Sequence, residues 1–144
     1  MAHQTQMNTF MGNAPMLDGD TLQIKNIAAT LNTVSKAASY TVKVIDSGTV
    51  FDTTGATGAV TFTLPPVASS TGCFFVFVNT VDQTMTVTSD PVDKMVYDGD
   101  AAADSLAAST TSHKIGAALL VVSDGTNWLA FAAGNGSAVF TAAT

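Results

Sequence analysis

Apolar and polar residues alternate along most of the chain from Tyr40 onward, the period-2 pattern of strands with one buried face. Tyr40-Thr41-Val42-Lys43-Val44-Ile45-Asp46 opens the pattern and Ser47-Gly48 closes its first segment. Val60, Phe62 and Leu64 alternate with Thr61 and Thr63 ahead of Pro65-Pro66, which cannot donate to a strand ladder. Met85 and Val87 alternate with Thr84, Thr86 and Thr88, and Met95-Val96-Tyr97 is a short strand before the turn Asp98-Gly99-Asp100. Phe74 to Val78 is apolar on both faces, which predicts a central strand. Leu119-Leu120-Val121-Val122 and Trp128-Leu129-Ala130-Phe131 flank Ser123-Asp124-Gly125-Thr126, and Asp-Gly between two apolar runs predicts a tight hairpin with positive φ at both turn residues. Asn135-Gly136 offers another tight turn, into Ala138-Val139-Phe140. Residues 101–112, rich in Ala and Ser, predict an irregular loop or edge strand rather than a helix. Strands at roughly 8–12-residue spacing with turn signals between them make residues 37–144 an all-β domain, a β-sandwich or jelly roll.

Residues 1–36 follow another rule. Met1, Met7, Met11 and Met16 stand with Phe10 and Leu17 among Asn, Gln and Gly, with no period of 2 or 3.6. Methionine is flexible and fits irregular surfaces. This stretch is therefore expected to be an extended N-terminal arm, with Met7, Phe10, Met11, Met16 and Leu17 as candidate contacts to a capsid or a neighbouring subunit. Within it, residues 20–36 suit two conformations. Asp20 and Gln23 resemble a capping box with Ile24, Ile27, Ala28 and Leu31 on one helix face, while Leu22 and Ile24 also alternate as in a strand.

Charge changes the picture more than length does. Only 11% of the 144 residues are charged, against about 25% in ordinary domains. Every acid is Asp and every base is Lys, with no charge between Asp52 and Asp82 or after Asp124. Such stretches must face a core, another protein, or solvent through Thr, Ser and Asn alone, which suits a subunit of an assembly. The net charge of −6 and five scattered Lys argue against nucleic acid, whose phosphates need clustered bases. No basic segment precedes an apolar one at the N-terminus, so no secretory signal is expected, and no apolar run is long enough to span a membrane as a helix.

Each route to chemistry runs short of parts. Cys73 is a lone cysteine leading the run Phe74 to Val78, and is read as a buried small hydrophobe. His113, Asp124 and one of several Ser could be drawn as a triad, but no nucleophile-elbow sequence supports one. Most Asp adjoin Gly, Ser or Pro at turns, where the carboxylate bonds to nearby backbone. Asp90, Asp93, Asp98, Asp100 and Asp104 could gather around Ca²⁺, but their spacing is not that of an EF-hand loop. Gly134-Asn135-Gly136 lacks the Lys-Ser/Thr of a phosphate loop. Trp128 reads as a core or interface anchor rather than a sugar platform. The expectation is a protein that is not an enzyme and holds no cofactor or metal.

The order of motifs is more specific than any one of them. Thr61-Phe62-Thr63-Leu64-Pro65 leads to Gly72 and then Phe75-Val76-Phe77-Val78-Asn79-Thr80; Thr86-Val87-Thr88 and Asp93 follow, and Val121-Val122-Ser123-Asp124-Gly125-Thr126-Asn127-Trp128 comes last. Over about residues 58–132 this resembles a family of small tailed-bacteriophage virion proteins built on a β-sandwich, in which these motifs recur in this order. The resemblance implies a virion protein made in the host cytoplasm: a capsid decoration (cement) protein on the head, binding the major capsid protein and itself as a homotrimer. It equally allows a head- or tail-fibre module recognising host surface glycan. It supplies no catalytic residues. A small hydrolase is the third reading, and the missing parts above weigh against it.

Overall fold

The computed structural model describes residues 30–133 and 139–144. Leu31–Thr144 forms one compact unit. It is an all-β sandwich. Seven strands form one sheet in the order β1-β3-β5-β10-β11-β7-β8, and five form the other in the order β12-β9-β6-β4-β2. The strands are β1 (Asn32–Ser35), β2 (Tyr40–Thr41), β3 (Thr49–Asp52), β4 (Val60–Thr63), β5 (Phe74–Val78), β6 (Met85–Thr88), β7 (Met95–Tyr97), β8 (Asp100–Ala103), β9 (Ser105–Ala108), β10 (Ala118–Ser123), β11 (Trp128–Ala133) and β12 (Phe140–Ala143).

The first six strands alternate between the sheets, so each return to a sheet runs in the same direction as the strand before it. β1, β3 and β5 are parallel neighbours in one sheet, and β2, β4 and β6 are parallel neighbours in the other. This half of the domain is a coil wound around the core. The parallel pairs separate it from the antiparallel jelly roll also expected. The second half returns to hairpins: β7 pairs antiparallel with β8, and β10 with β11 and β5.

Between the layers, Phe51 and Phe77 of one sheet meet Phe62 of the other, with ring centroids 5.7 Å (Phe51–Phe77), 5.7 Å (Phe51–Phe62) and 4.9 Å (Phe62–Phe77) apart. Phe75 and Trp128 extend the core along the larger sheet at 5.8 Å. Leu106, Leu119, Val121, Met85 and Met95 fill the remaining space and are fully buried.

Four local features depart from the sequence reading. Tyr40 to Asp46 is not one strand. After Thr41 the backbone turns into a 3-10 turn at Val44–Asp46, where Asp46 Oδ2 accepts from the Lys43 N–H (2.9 Å) and the Tyr40 hydroxyl (3.0 Å), leaving Val44 and Ile45 exposed. The β10–β11 connection spans four residues rather than two. Gly125 has φ +91, but Asp124 does not have positive φ; its Oδ1 instead accepts from the N–H groups of Thr126 and Asn127, each at 2.7 Å. A side chain at Gly125 would also meet Thr71 Oγ1 at 2.7 Å. The positive-φ pair falls at Asp98 and Gly99, in the β7–β8 hairpin. Residues 101–112 supply edge strand β8, but also β9, which lies inside the smaller sheet. Finally, the sheet begins at Asn32, within the stretch that composition assigns to the arm, because Val34 packs on the core opposite Phe51. The Asn135-Gly136 turn lies outside the described residues.

Replacing Phe77 by Ala is expected to lower the unfolding free energy by about 3–5 kcal/mol, since the ring is fully buried among two others. Ile45→Ala, on an exposed turn, is expected to change it by no more than about 0.5 kcal/mol. Denaturant unfolding of both variants checks the contrast.

Candidate functional site

Strict alternation sends every second residue of a sheet outward, and the two outer faces of this sandwich differ sharply. The smaller sheet presents hydroxyls and methyls. Its pairing aligns Thr41, Thr63, Thr88 and Ser105 in one row, and Thr61, Thr86, Ala107 and Thr141 in the next. That is a face water can cover.

The larger sheet presents three apolar rows. The middle row is Val50, Val76, Leu120 and Phe131 on β3, β5, β10 and β11. On one side lie Phe74, Val122, Leu129 and Val96; on the other, Val78, Ala118 and Ala133. Phe131 is 54% exposed and Phe74 40%. The one charge in these rows is Asp52, level with Val78 at the rim. Burial alone would raise the Asp52 pKa, but hydrogen bonds from Thr54, through side chain and backbone, and from the Ser35 hydroxyl (3.0 Å) outweigh it and hold the carboxyl below the usual range. Thr33 and Ser35 on β1 continue the rim as polar side chains.

Phe74 to Val78 is therefore a central strand as expected, but only Phe75 and Phe77 are fully buried; Phe74, Val76 and Val78 look outward. The composition said that uncharged stretches face a core, another protein, or solvent through Thr, Ser and Asn alone. It did not say that β3, β5, β10 and β11 would bring theirs to one face, because pairing order is not written in alternation.

The residues weighed for chemistry are dispersed into local roles. Asp124 holds its own hairpin, and the N–H groups of Asn127 and Thr126 keep its carboxyl below the usual range. Asp93 accepts the Val67 N–H (2.7 Å), Asp100 the Ala102 N–H (2.8 Å), and Asp104 pairs with Lys94. Among the described residues no three His, Cys, Asp or Glu side chains are grouped so as to hold a metal ion. His113 is exposed on the loop between β9 and β10. Cys73 is only half-buried, packed against the core edge rather than enclosed. Trp128 is wholly in the core, its Nε1 without a hydrogen-bond partner. Met7, Phe10, Met11, Met16 and Leu17 lie outside the described residues. Among the described residues no helix is long and apolar enough to cross a membrane. No protein-family model matches the chain, and no curated protein matches its sequence.

The loop after β2 carries the clearest titration signature. The Tyr40 hydroxyl donates to Asp46, and that bond, with burial and the nearby carboxylate charge, raises the Tyr40 pKa above 10.0. Tyr97 is raised by burial and by the charge of Asp98. A raised folded-state pKa favours the protonated phenol, so this contribution is present below the unfolded value of about 10 and is lost as pH climbs through the folded value. Phenolate absorbance should show both tyrosines titrating above 10. Asp46→Asn is expected to bring Tyr40 back toward the ordinary value while Tyr97 stays raised; unchanged titration of both would contradict the assignment.

Proposed function

We propose that the chain is a structural virion protein: a capsid decoration protein of a tailed phage that binds the outside of the head and stabilises the closed shell. The observation that carries this reading is the outer face of the seven-stranded sheet. A domain working alone in water usually places Lys, Glu and Thr there, as the smaller sheet does with Thr. This sheet instead aligns Val50, Val76, Leu120, Phe131, Phe74, Val122 and Leu129 in adjoining rows. Such a face belongs against protein. The phage assignment is supported by the motif order over about residues 58–132, whose pieces fall on β4, β5, β6 and the β10–β11 hairpin.

The activity is binding free energy alone. A ligand that binds only the closed shell stabilises it in proportion to its affinity and concentration. In this reading the N-terminal residues Met7, Phe10, Met11, Met16 and Leu17 reach the major capsid protein, while the sandwich associates with copies of itself. The protein is made in the host cytoplasm and resides on the virion. The fibre reading fits less well. A glycan platform favours exposed Trp or Tyr rings beside loops; apart from the exposed Phe74 and Phe131, Trp128 and Tyr97 are buried and the Tyr40 ring already has the Lys36 ammonium 3.7 Å from its centroid.

Deleting residues 1–20 tests the reading. The truncated chain is expected to keep cooperative thermal unfolding, because the core of both sheets lies beyond Leu31. It is expected to lose co-sedimentation with particles stripped of the native copy. Binding as tight as that of the full chain would place the shell contact on the sandwich and overturn the arm's role.

A further inference from the structure

We propose that the open edge of β12, in the five-stranded sheet, is a strand-addition site for an extended segment of a partner protein. The segment it fits is apolar at alternate positions and carries Lys or Arg beside its paired residues. The proposal rests on this edge and not on the virion reading above.

The two sheets leave four edges, at β1, β8, β12 and β2. An edge strand shows a row of unpaired N–H and C=O groups, and proteins that work alone blunt it with charge, proline, a bulge or shortness. Three of these edges are blunted. β2 has two residues, with the Lys36 ammonium over the Tyr40 ring. β8 carries Asp100 and a bulge in its pairing with β7. β1 runs into Lys36, and its Asn32 and Ser35 side chains bond to Thr49 and Asp52. β12 has none of these devices. Its four uncharged residues pair with β9 in unbroken register, and among the described residues no strand pairs on its other side.

The backbone of this edge is turned to receive a ladder. The Ala143 carbonyl points back into the domain, where it accepts the Asp104 N–H at 2.6 Å. Main-chain groups alternate sides along an antiparallel strand, so those of Phe140 and Ala142 point to the open side. The side chains leave room as well. Phe140 and Ala142 stand level with Ala108 and Leu106, which are fully buried, and so share the inward face. Phe140 is buried too, but Ala142 is exposed. The core is closed at β9 and at Phe140 and open beside Ala142. A strand added here brings an inward side chain next to Ala142, which is why the guest is apolar at every second residue.

Charge narrows the guest further. Residues 83–113 hold Asp90, Asp93, Asp98, Asp100 and Asp104, with Lys94 as the one Lys or Arg, and Asp104 is the corner bonded to Ala143. A strand with Lys or Arg next to its paired residues is attracted there. A second copy, itself at −6, brings more acid to the same place.

The probe is a synthetic peptide, Lys-Val-Thr-Val-Thr-Val-Lys, capped at both ends, fluorescently labelled and titrated with the full chain. Saturable binding is expected, with amide exchange slowed at Phe140 and Ala142 and unchanged on β8 and β1. Ala142→Pro removes an edge N–H that the domain does not use, so cooperative melting is expected to persist. Affinity for the peptide is expected to fall about tenfold or more, the scale of one or two main-chain hydrogen bonds. Ala142→Lys, an inward charge at the edge, is expected to weaken binding similarly. Methylating every peptide N–H should abolish binding, and replacing both peptide Lys by Asp should weaken it at low salt. No saturable binding, exchange slowed on β8 or β1 instead, or equal affinity for Ala142→Pro would overturn the site. Should Ala142→Pro fail to fold, equal affinity for Ala142→Lys or for the methylated peptide would overturn it. Sedimentation that finds wild-type copies joined and Ala142→Pro copies separate would overturn the partner, by giving the edge to a second copy.

Discussion

The contact of Phe51 and Phe77 with Phe62 across the two layers fixes the orientation of everything around it. These rings turn one face of β3, β5 and β4 inward. Because side chains alternate along a strand, they also determine what must face out. A one-residue slip would bury Val50 and Val76 and expel three phenylalanines, so the register is held strongly. On β4 the outward residues are Thr61 and Thr63, which hydrate easily. On β3 and β5 they are Val50, Val76 and Val78, which do not. The same packing that closes the core thus creates an apolar face on one side only.

Much of this was legible in the sequence. The strands at Val60, Phe74, Met85, Met95, Leu119 and Trp128 follow from alternation and from the Gly, Pro and Asp punctuation between them. Their pairing was not legible. Alternation says which face a residue takes and is silent on the neighbour across the ladder. The parallel coil of β1 to β6 arises because the chain crosses to the opposite sheet after each strand instead of folding back through a two-residue turn. The Tyr40 segment misled because Asp46, an apparent strand end, takes two hydrogen bonds that curl the backbone into a 3-10 turn. Asp124-Gly125 misled in a similar way, since the Asp124 carboxylate satisfies two N–H groups ahead of it and lengthens the loop.

The candidate surface was half legible. The run Phe74–Val78 signalled a strand apolar on both faces, and Leu119–Val122 and Trp128–Phe131 signalled the apolar arms of a hairpin. The usual reason for such a run is a layer of helices on the second face. Here β5, β10 and β11 are adjacent in one sheet, and no helix longer than a 3-10 turn occurs among the described residues. Their second faces merge into a single apolar patch, the surface on which the proposed function rests. The scarcity of charge, the position of Asp52 at the rim and the contrast with the threonine rows all agree with that reading. Together they are the features on which the proposed assembly role rests.

The most direct measurement is imaging of purified phage particles with and without this chain, at a resolution that separates sheets. The expected result is added density at regular lattice positions on the outside of the head, with the Leu120 and Phe131 face buried against protein. Particles identical in the two preparations, or a chain seated with that face open to solvent, would contradict it.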